Sequence, residues 1–328
     1  MKSKILVILL AMISATYAQG IFGNTVGEPV PPEVEKMYKK GLEYLVKNQQ
    51  PNGTWGNDYY SREPGVVGLA ILALLAHGED PNFGPYSKTV KRATDYLLKQ
   101  QNSSTGMIGS SMYNHGFATL ALAEIYGTLN NDKLGPALEK AVKLLLSSQA
   151  RNPYNSWRYS PSGRDADTTA AGACMVALFA ARNAGVGVPQ SALEKGMDYY
   201  KRCQSADGGF GYTSPGGSNA PRTAIGTLVY ALGKKKKSAV WKQSLAYLKK
   251  RGYQSDHYYY YYVYYMPQAL FQSDIEQWKK WNKINIQALK ARQSSSGAWS
   301  GSHGVVFSTS SALLSLALNY RFLPIYER

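Results

Sequence analysis

Two kinds of hydrophobic pattern alternate along the chain. Segments such as "VEKMYKKGLEYLVKNQ" and "LEKAVKLLLSSQ" carry apolar residues at helical spacing on one side and charges on the other. That pattern predicts helices with one solvated face. Between them lie segments that are apolar nearly all round: "VVGLAILALLA", "GFATLALAEIY", "TTAAGACMVALFAA", "RTAIGTLVYAL", "YYVYYMPQALF" and "STSSALLSLAL". Helices of this second kind need cover on every side.

The alternation is an internal repeat. Five of the amphipathic segments end in glutamine and run into a Gly/aromatic loop, as in "YLVKNQQPNGTWG" and "LKARQSSSGAWSG". With Gln50, Gln101, Gln149, Gln204 and Gln293 as markers, the steps are 51, 48, 55 and 89 residues. The last step spans two units, and the missing marker falls near "YLKKRGYQSDHY", so the chain holds six units. Six half-solvated helices alternating with six enclosed ones predict an all-α fold, a single (α/α)6 toroid over residues 33–328. Within each loop, glutamine is expected to bond loose backbone at the helix end, glycine to allow the turn, and Trp or Phe to plug the gap between hairpins.

Gln49, Gly53 and Trp55, with Gln293, Gly297 and Trp299, resemble the Q-x-x-x-G-x-W repeats of the squalene cyclase and protein prenyltransferase superfamily. "QSADGGFG" resembles the prenyltransferase form. Nearly the whole chain is similar to exported bacterial proteins with prenyltransferase/squalene-oxidase repeats, through "YNHGFATLALAEIYG", "WRYSP", "TAIGTLVYALG" and "YYVYYMPQALFQ". The resemblance implies the toroid and does not select a reaction, because this fold serves cyclases, zinc prenyltransferases and non-enzymatic domains.

The first residues join Lys2 and Lys4 to an apolar run from Ile5 to Ile13 and a small-residue exit at Ala18. This predicts a secretory leader over residues 1–18, cleaved after Ala18, and then an extension over 19–32. No other stretch is apolar for long enough to span a bilayer. Losing the two lysines takes the formal charge from +16 to +14. A basic exported protein favours an anionic or amphipathic ligand or envelope component as partner and disfavours nucleic acid. "GKKKKS" at 233–238 reads as a solvated turn. The two cysteines, Cys174 and Cys203, could pair in an oxidising compartment, and four scattered histidines supply no metal cluster, so no metal or cofactor is expected.

Three functions fit this frame. Class II terpene cyclases protonate an alkene with the middle acid of a D-x-D-D motif. The resemblance therefore points to Asp167 as acid and Asp165 as its partner, in a motif whose last position is Thr168. Aligning the inner helices by their small residues sets Thr169 level with Thr223 and Ser308 as caps, which leaves Asp167 on the rim. Arg158 and Arg164 stand ready to pair with the two acids. Cyclases of this type that resemble the chain place their site between two toroids, and this chain builds one. A zinc prenyltransferase is disfavoured, because the family's Asp-x-Cys pair has no counterpart around either cysteine.

A polysaccharide lyase would use Tyr113 or His115 as base, with Asn114, Arg158, Arg164 and Arg222 available to neutralise a uronate. The reading with fewest requirements is a binding protein. Six inner-helix N-termini converge on one rim, beside Trp157, the arginines, Tyr113 and His115.

Residues 258–265 hold seven tyrosines in eight positions. Buried phenols need partners, so such a stretch suggests a cavity wall. At about 100° per residue, Tyr258, Tyr261, Tyr262 and Tyr265 share one face. Pro267 predicts either a kink or a helix start just before it.

Overall fold

The structure, a computed structural model, describes residues 29–56, 59–253 and 258–326. The leader, its cleavage point, most of the 19–32 extension and His257 lie outside the described residues.

Twelve α-helices form among them, in six hairpins. The amphipathic outer helices are α1 (Pro32–Asn48), α3 (Ser87–Gln100), α5 (Leu134–Arg151), α7 (Gln190–Arg202), α9 (Ala239–Arg251) and α11 (Ile275–Arg292). The inner helices are α2 (Pro64–Leu75), α4 (Met112–Ile125), α6 (Thr168–Asn183), α8 (Ala220–Leu232), α10 (Tyr259–Ser273) and α12 (Val305–Ala317). In α1 the buried residues Val34, Met37, Tyr38, Gly41, Leu42 and Leu45 follow one face, whereas every residue of α2 is buried. Each inner helix packs on the next, and α12 packs on α2, so the inner ring closes on itself.

The loop glutamines lock the outer wall. Each Nε2 donates to a carbonyl of its own loop and to the next outer helix. Gln49 reaches Thr89 O (2.9 Å), Gln101 reaches Ala137 O (2.8 Å), Gln149 reaches Ala192 O (2.9 Å) and Gln204 reaches Val240 O (2.9 Å). Gln293 completes the circuit from α11 to Met37 O of α1, at 2.9 Å. In the first unit the bond belongs to Gln49; its neighbour Gln50, marked from the sequence, is exposed. Two adjacent glutamines made the marker ambiguous, and the bonds fall to Gln49, the one that the Q-x-x-x-G-x-W spacing also selects. Trp55, Trp157 and Trp299 are buried plugs, their indoles donating to the carbonyls of Leu45, Leu145 and Leu289.

At the fifth junction tyrosines take over. Tyr253 donates to Asn285 Oδ1 of α11 (3.2 Å) and pairs with the hydroxyl of Tyr259 (2.6 Å), while Trp281 of α11 donates to the Tyr262 hydroxyl (2.9 Å). Part of the tyrosine wall therefore does the work of the missing loop. Tyr262 belongs to this outward set and not to the lumen face. It lies about 100° round the helix from Tyr261, enough to turn it toward the outer layer. Helix α10 continues through Pro267, so the alternative of a helix starting just before that proline is excluded. The 233–238 turn leads into α9, with Ser238 as N-cap.

Cys174 and Cys203 are both buried and unpaired. No described helix is long and apolar enough to cross a membrane.

Candidate functional site

The N-terminal ends of all six inner helices surround a cavity of about 680 Å³. At the opposite end the ring is closed. There the short helix Pro324–Tyr326 sits with Leu323 and Ile325 buried, and the carbonyl of Ile325 accepts from Gln272 of α10 at 3.3 Å. Among the described residues the toroid is thus a cup that opens at the inner-helix N-termini.

The floor is built from aromatic rings. Helices α4 and α10 stand opposite each other in the ring, yet Phe117 and Tyr264 meet with centroids 5.7 Å apart. Tyr265 packs against both Tyr264 (4.6 Å) and Tyr261 (5.1 Å). Long phenols span a lumen that leucine would leave partly empty, which is why the stretch is so rich in tyrosine. The hydroxyls of Tyr261 and Tyr265 are buried and cluster with that of Tyr113. Burial pushes the phenols of Tyr113, Tyr261 and Tyr265 well above their ordinary range, and for Tyr113 and Tyr261 the nearby Asp167 charge adds to it. These groups are protonated donors at any physiological pH.

The walls carry Tyr113, Tyr159, Tyr212, Tyr258 and Arg222, with Glu63 and Asn114 at one side. Asn114 accepts from Gly65 N–H (3.0 Å) and donates to the Glu63 carboxylate. Arg222 is half-buried at the start of α8; its Nε donates to Asn219 Oδ1 (3.1 Å) and its guanidinium lies over Tyr212 (5.8 Å). Of the residues expected at the mouth, Tyr113, Arg222, Tyr258 and Tyr261 line this cavity, and Tyr265 supports it from below.

The remaining expectations resolve differently. Asp167 is the N-cap of α6. Its Oδ1 accepts from Thr169 N (2.8 Å), Ala170 N (2.8 Å) and Thr169 Oγ1 (2.6 Å). The alignment that made Thr169, Thr223 and Ser308 the caps fails because the helices begin earlier than their small residues suggest. Ser111, Asp167 and Asn219 cap α4, α6 and α8. Asp167 is wholly buried, with Thr169 between it and the cavity wall, and its Oδ2 lies 3.8 Å from Arg158 Nε without a hydrogen bond. Arg158 pairs with the exposed Asp165 and stacks over Tyr159 and Tyr212, so it backs the wall without lining it. Arg164 is exposed and outside the lining, and Trp157 points into the hairpin gap instead of the mouth.

His115 is also structural. Its Nδ1 accepts from Ile108 N–H (3.1 Å) and its Nε2 donates to Ala141 O (3.0 Å), which requires the neutral ring. Thr223 and Thr309 hold the loop N–H groups of Phe210 and Trp299 in the same way. Burial lowers the His115 pKa to about 4. The unfolded chain, titrating near 6.5, therefore binds the proton first, so stability is full above that pH and falls as pH drops from about 6.5 to 4. The loss expected is about 3 kcal/mol at its limit. Urea titrations across this range should show it, and His115→Thr should flatten the profile.

Asn114, offered by the sequence beside Tyr113, does line the cavity, whereas Glu63, Tyr159 and Tyr212 were missed by sequence reading and meet it only through loop placement. Among the described residues no group of three or more His, Cys, Asp or Glu side chains is placed to hold a metal.

Residues 34–259 match the family described as "Domain of unknown function (DUF6288)", and residues 232–325 match the prenyltransferase alpha-alpha toroid domain. A variant of the type II terpene cyclase MstE from Scytonema, in complex with geranylgeranyl dihydroxybenzoate, is similar with a TM-score of 0.62 at 14% identity, over 89% of this chain and 98% of that one. An inactive variant of the α-1,6-mannanase GH76A of Salegentibacter sp. HEL1_6, in complex with α-1,6-mannotriose, has a TM-score of 0.68 at 10% identity, over 88% and 99%. A family 76 glycoside hydrolase from a bovine Bacteroides thetaiotaomicron strain reaches 0.66 at 12%, over 89% and 78%. At such identities the likeness is one of fold. It also corrects one expectation: a type II cyclase chain is matched almost end to end by this single toroid, so having one toroid does not argue against that chemistry.

Proposed function

The chain belongs to the DUF6288 family, and from that premise we propose that it is an exported protein that binds a glycan at the mouth of its toroid. The observation that carries this is the open cup of about 680 Å³ at the joined ends of six helices, walled by tyrosine rings and polar side chains together with Val66, Leu69, Phe117 and Phe307. Aromatic faces suit the C–H faces of a sugar, and protonated phenols and an arginine suit its oxygens. Of the neighbours described above, one is in complex with α-1,6-mannotriose and another with geranylgeranyl dihydroxybenzoate. Of these chemistries the cavity favours the sugar. A terpene needs a deep apolar chamber, and here the depth is filled by Phe117, Tyr264 and Tyr265.

The alternatives weaken on the same geometry. A proton-donating Asp167 would have to touch its substrate, and it lies outside the cavity lining. A lyase base would have to lose its proton readily, whereas Tyr113 is held protonated and His115 has both nitrogens committed.

Calorimetric titration with α-1,6-mannotriose and with trigalacturonate tests the reading. At least one should bind, and Tyr113→Phe, which keeps the ring and removes the donor, should weaken it about tenfold. Binding of geranylgeranyl dihydroxybenzoate with no response to either sugar would overturn it in favour of an isoprenoid site.

A further inference from the structure

We infer that the glycan is a linear, acidic chain that leaves the lumen mouth over an aromatic saddle and continues into a second groove on the rim. The inference rests on the glycan reading above and extends it. A groove of about 350 Å³ lies beside the mouth, between the start of α10 and the loop that leads into α12. Tyr258, His303 and Phe307 line both spaces, so the two meet at these rings.

The meeting point is a continuous aromatic surface. His303 lies 5.4 Å from Tyr60, 6.0 Å from Tyr258 and 5.4 Å from Phe307, centroid to centroid. Tyr258 is 51% exposed and Tyr60 40%, so their faces are open to a ligand. Beyond the saddle the groove is bordered by Ser294, Ser300 and Ser302, with Arg292 at its side. Rings followed by a row of hydroxyls match successive pyranose units, each offering a C–H face and a polar edge. Two chambers in series suit a chain better than one compact ligand.

Charge favours the acidic kind. Among the described lining residues, Arg222 on the lumen side and Arg292 on the groove side outnumber the single carboxylate of Glu63, in a chain of formal charge +16. Six inner-helix N-termini add positive potential at the mouth.

The experiment titrates the folded mature chain with oligogalacturonates from dimer to octamer, with neutral α-1,6-mannooligosaccharides of the same lengths and poly-glutamate as comparisons. Affinity for oligogalacturonate is expected to rise about tenfold or more between the dimer and the longer chains. Ser300→Trp, filling the groove from an exposed position, should abolish that rise and leave dimer affinity unchanged; circular dichroism establishes that the variant folds. Arg292→Ala should weaken only the longer chains. Length-independent binding overturns the inference while leaving the glycan reading in place. Equal affinity for neutral chains, or tighter binding of poly-glutamate, overturns the acidic-glycan assignment. Failure of every oligosaccharide to bind defeats the underlying reading as well.

Discussion

Replacing Trp157 with alanine is expected to destabilise the folded chain by about 4 kcal/mol, while the affinity of the molecules that remain folded for a mouth ligand stays unchanged. The indole is 1% exposed and fills the space between the third hairpin and its neighbour, so truncation leaves a large cavity that helices fixed on both sides cannot close. Its Nε1 also donates to Leu145 O at 3.0 Å, and that carbonyl would lose its partner. Trp157→Phe separates the two effects, since it keeps much of the volume and should cost about 1–2 kcal/mol. Urea unfolding of the three proteins gives the stabilities, and titration with trigalacturonate or α-1,6-mannotriose gives the affinities. A drop in affinity for Trp157→Phe with little change in stability would return this residue to the binding site.

Gly53→Ala is expected to cost about 3–5 kcal/mol, far more than an alanine at an ordinary left-handed glycine. Gly53 has φ +92°, and a Cβ there would stand 2.2 Å from the carbonyl oxygen of Arg92 in α3. The obstacle is helix backbone, so the clash is relieved only by shifting α3 away from the loop, which strains the Gln49 bond to Thr89. Gly127 is the matched control: its φ is +83° and nothing lies within 4 Å of the added carbon. Gly127→Ala should therefore cost about 1 kcal/mol, the conformational part alone. Equal losses at the two sites, measured by urea unfolding, would show that the loop glycine serves the turn and not the close approach of the neighbouring helix. Gly297 repeats the arrangement against Lys40 O of α1, across the closing seam of the ring, with φ +90° and 2.3 Å.

These two residues mark the boundary between what was legible and what was not. The glycine and tryptophan of the repeat were read from sequence as turn and plug, and they are. Assigning Trp157 to the ligand mouth failed because "WRYSP" puts it next to Arg158, and chain neighbours in an extended loop point opposite ways. Asp167 was legible as a carboxylate at the start of an inner helix. Its identity as the cap depended on where the first helical turn begins, and element boundaries follow from hydrogen bonding more than from composition. The tyrosine stretch announced something other than a plain core. Its division of labour, with Tyr262 and Tyr259 stitching the outer wall and Tyr261, Tyr264 and Tyr265 flooring the lumen, could not be read from a helical wheel without knowing which arc faced inward.

By itself the sequence determined the twelve alternating helices, the closed ring and the roles of the loop glutamines. Helical period and the contrast between half-apolar and wholly apolar segments are local properties that leave few ways to bury every inner helix. Only the tertiary structure decided which side chains share the mouth. Glu63, Tyr113, Tyr212, Arg222 and Tyr258 come from four of the six hairpins. Their meeting depends on the radius of the ring and on rings reaching from α10 to α4 across it, distances that no local pattern encodes.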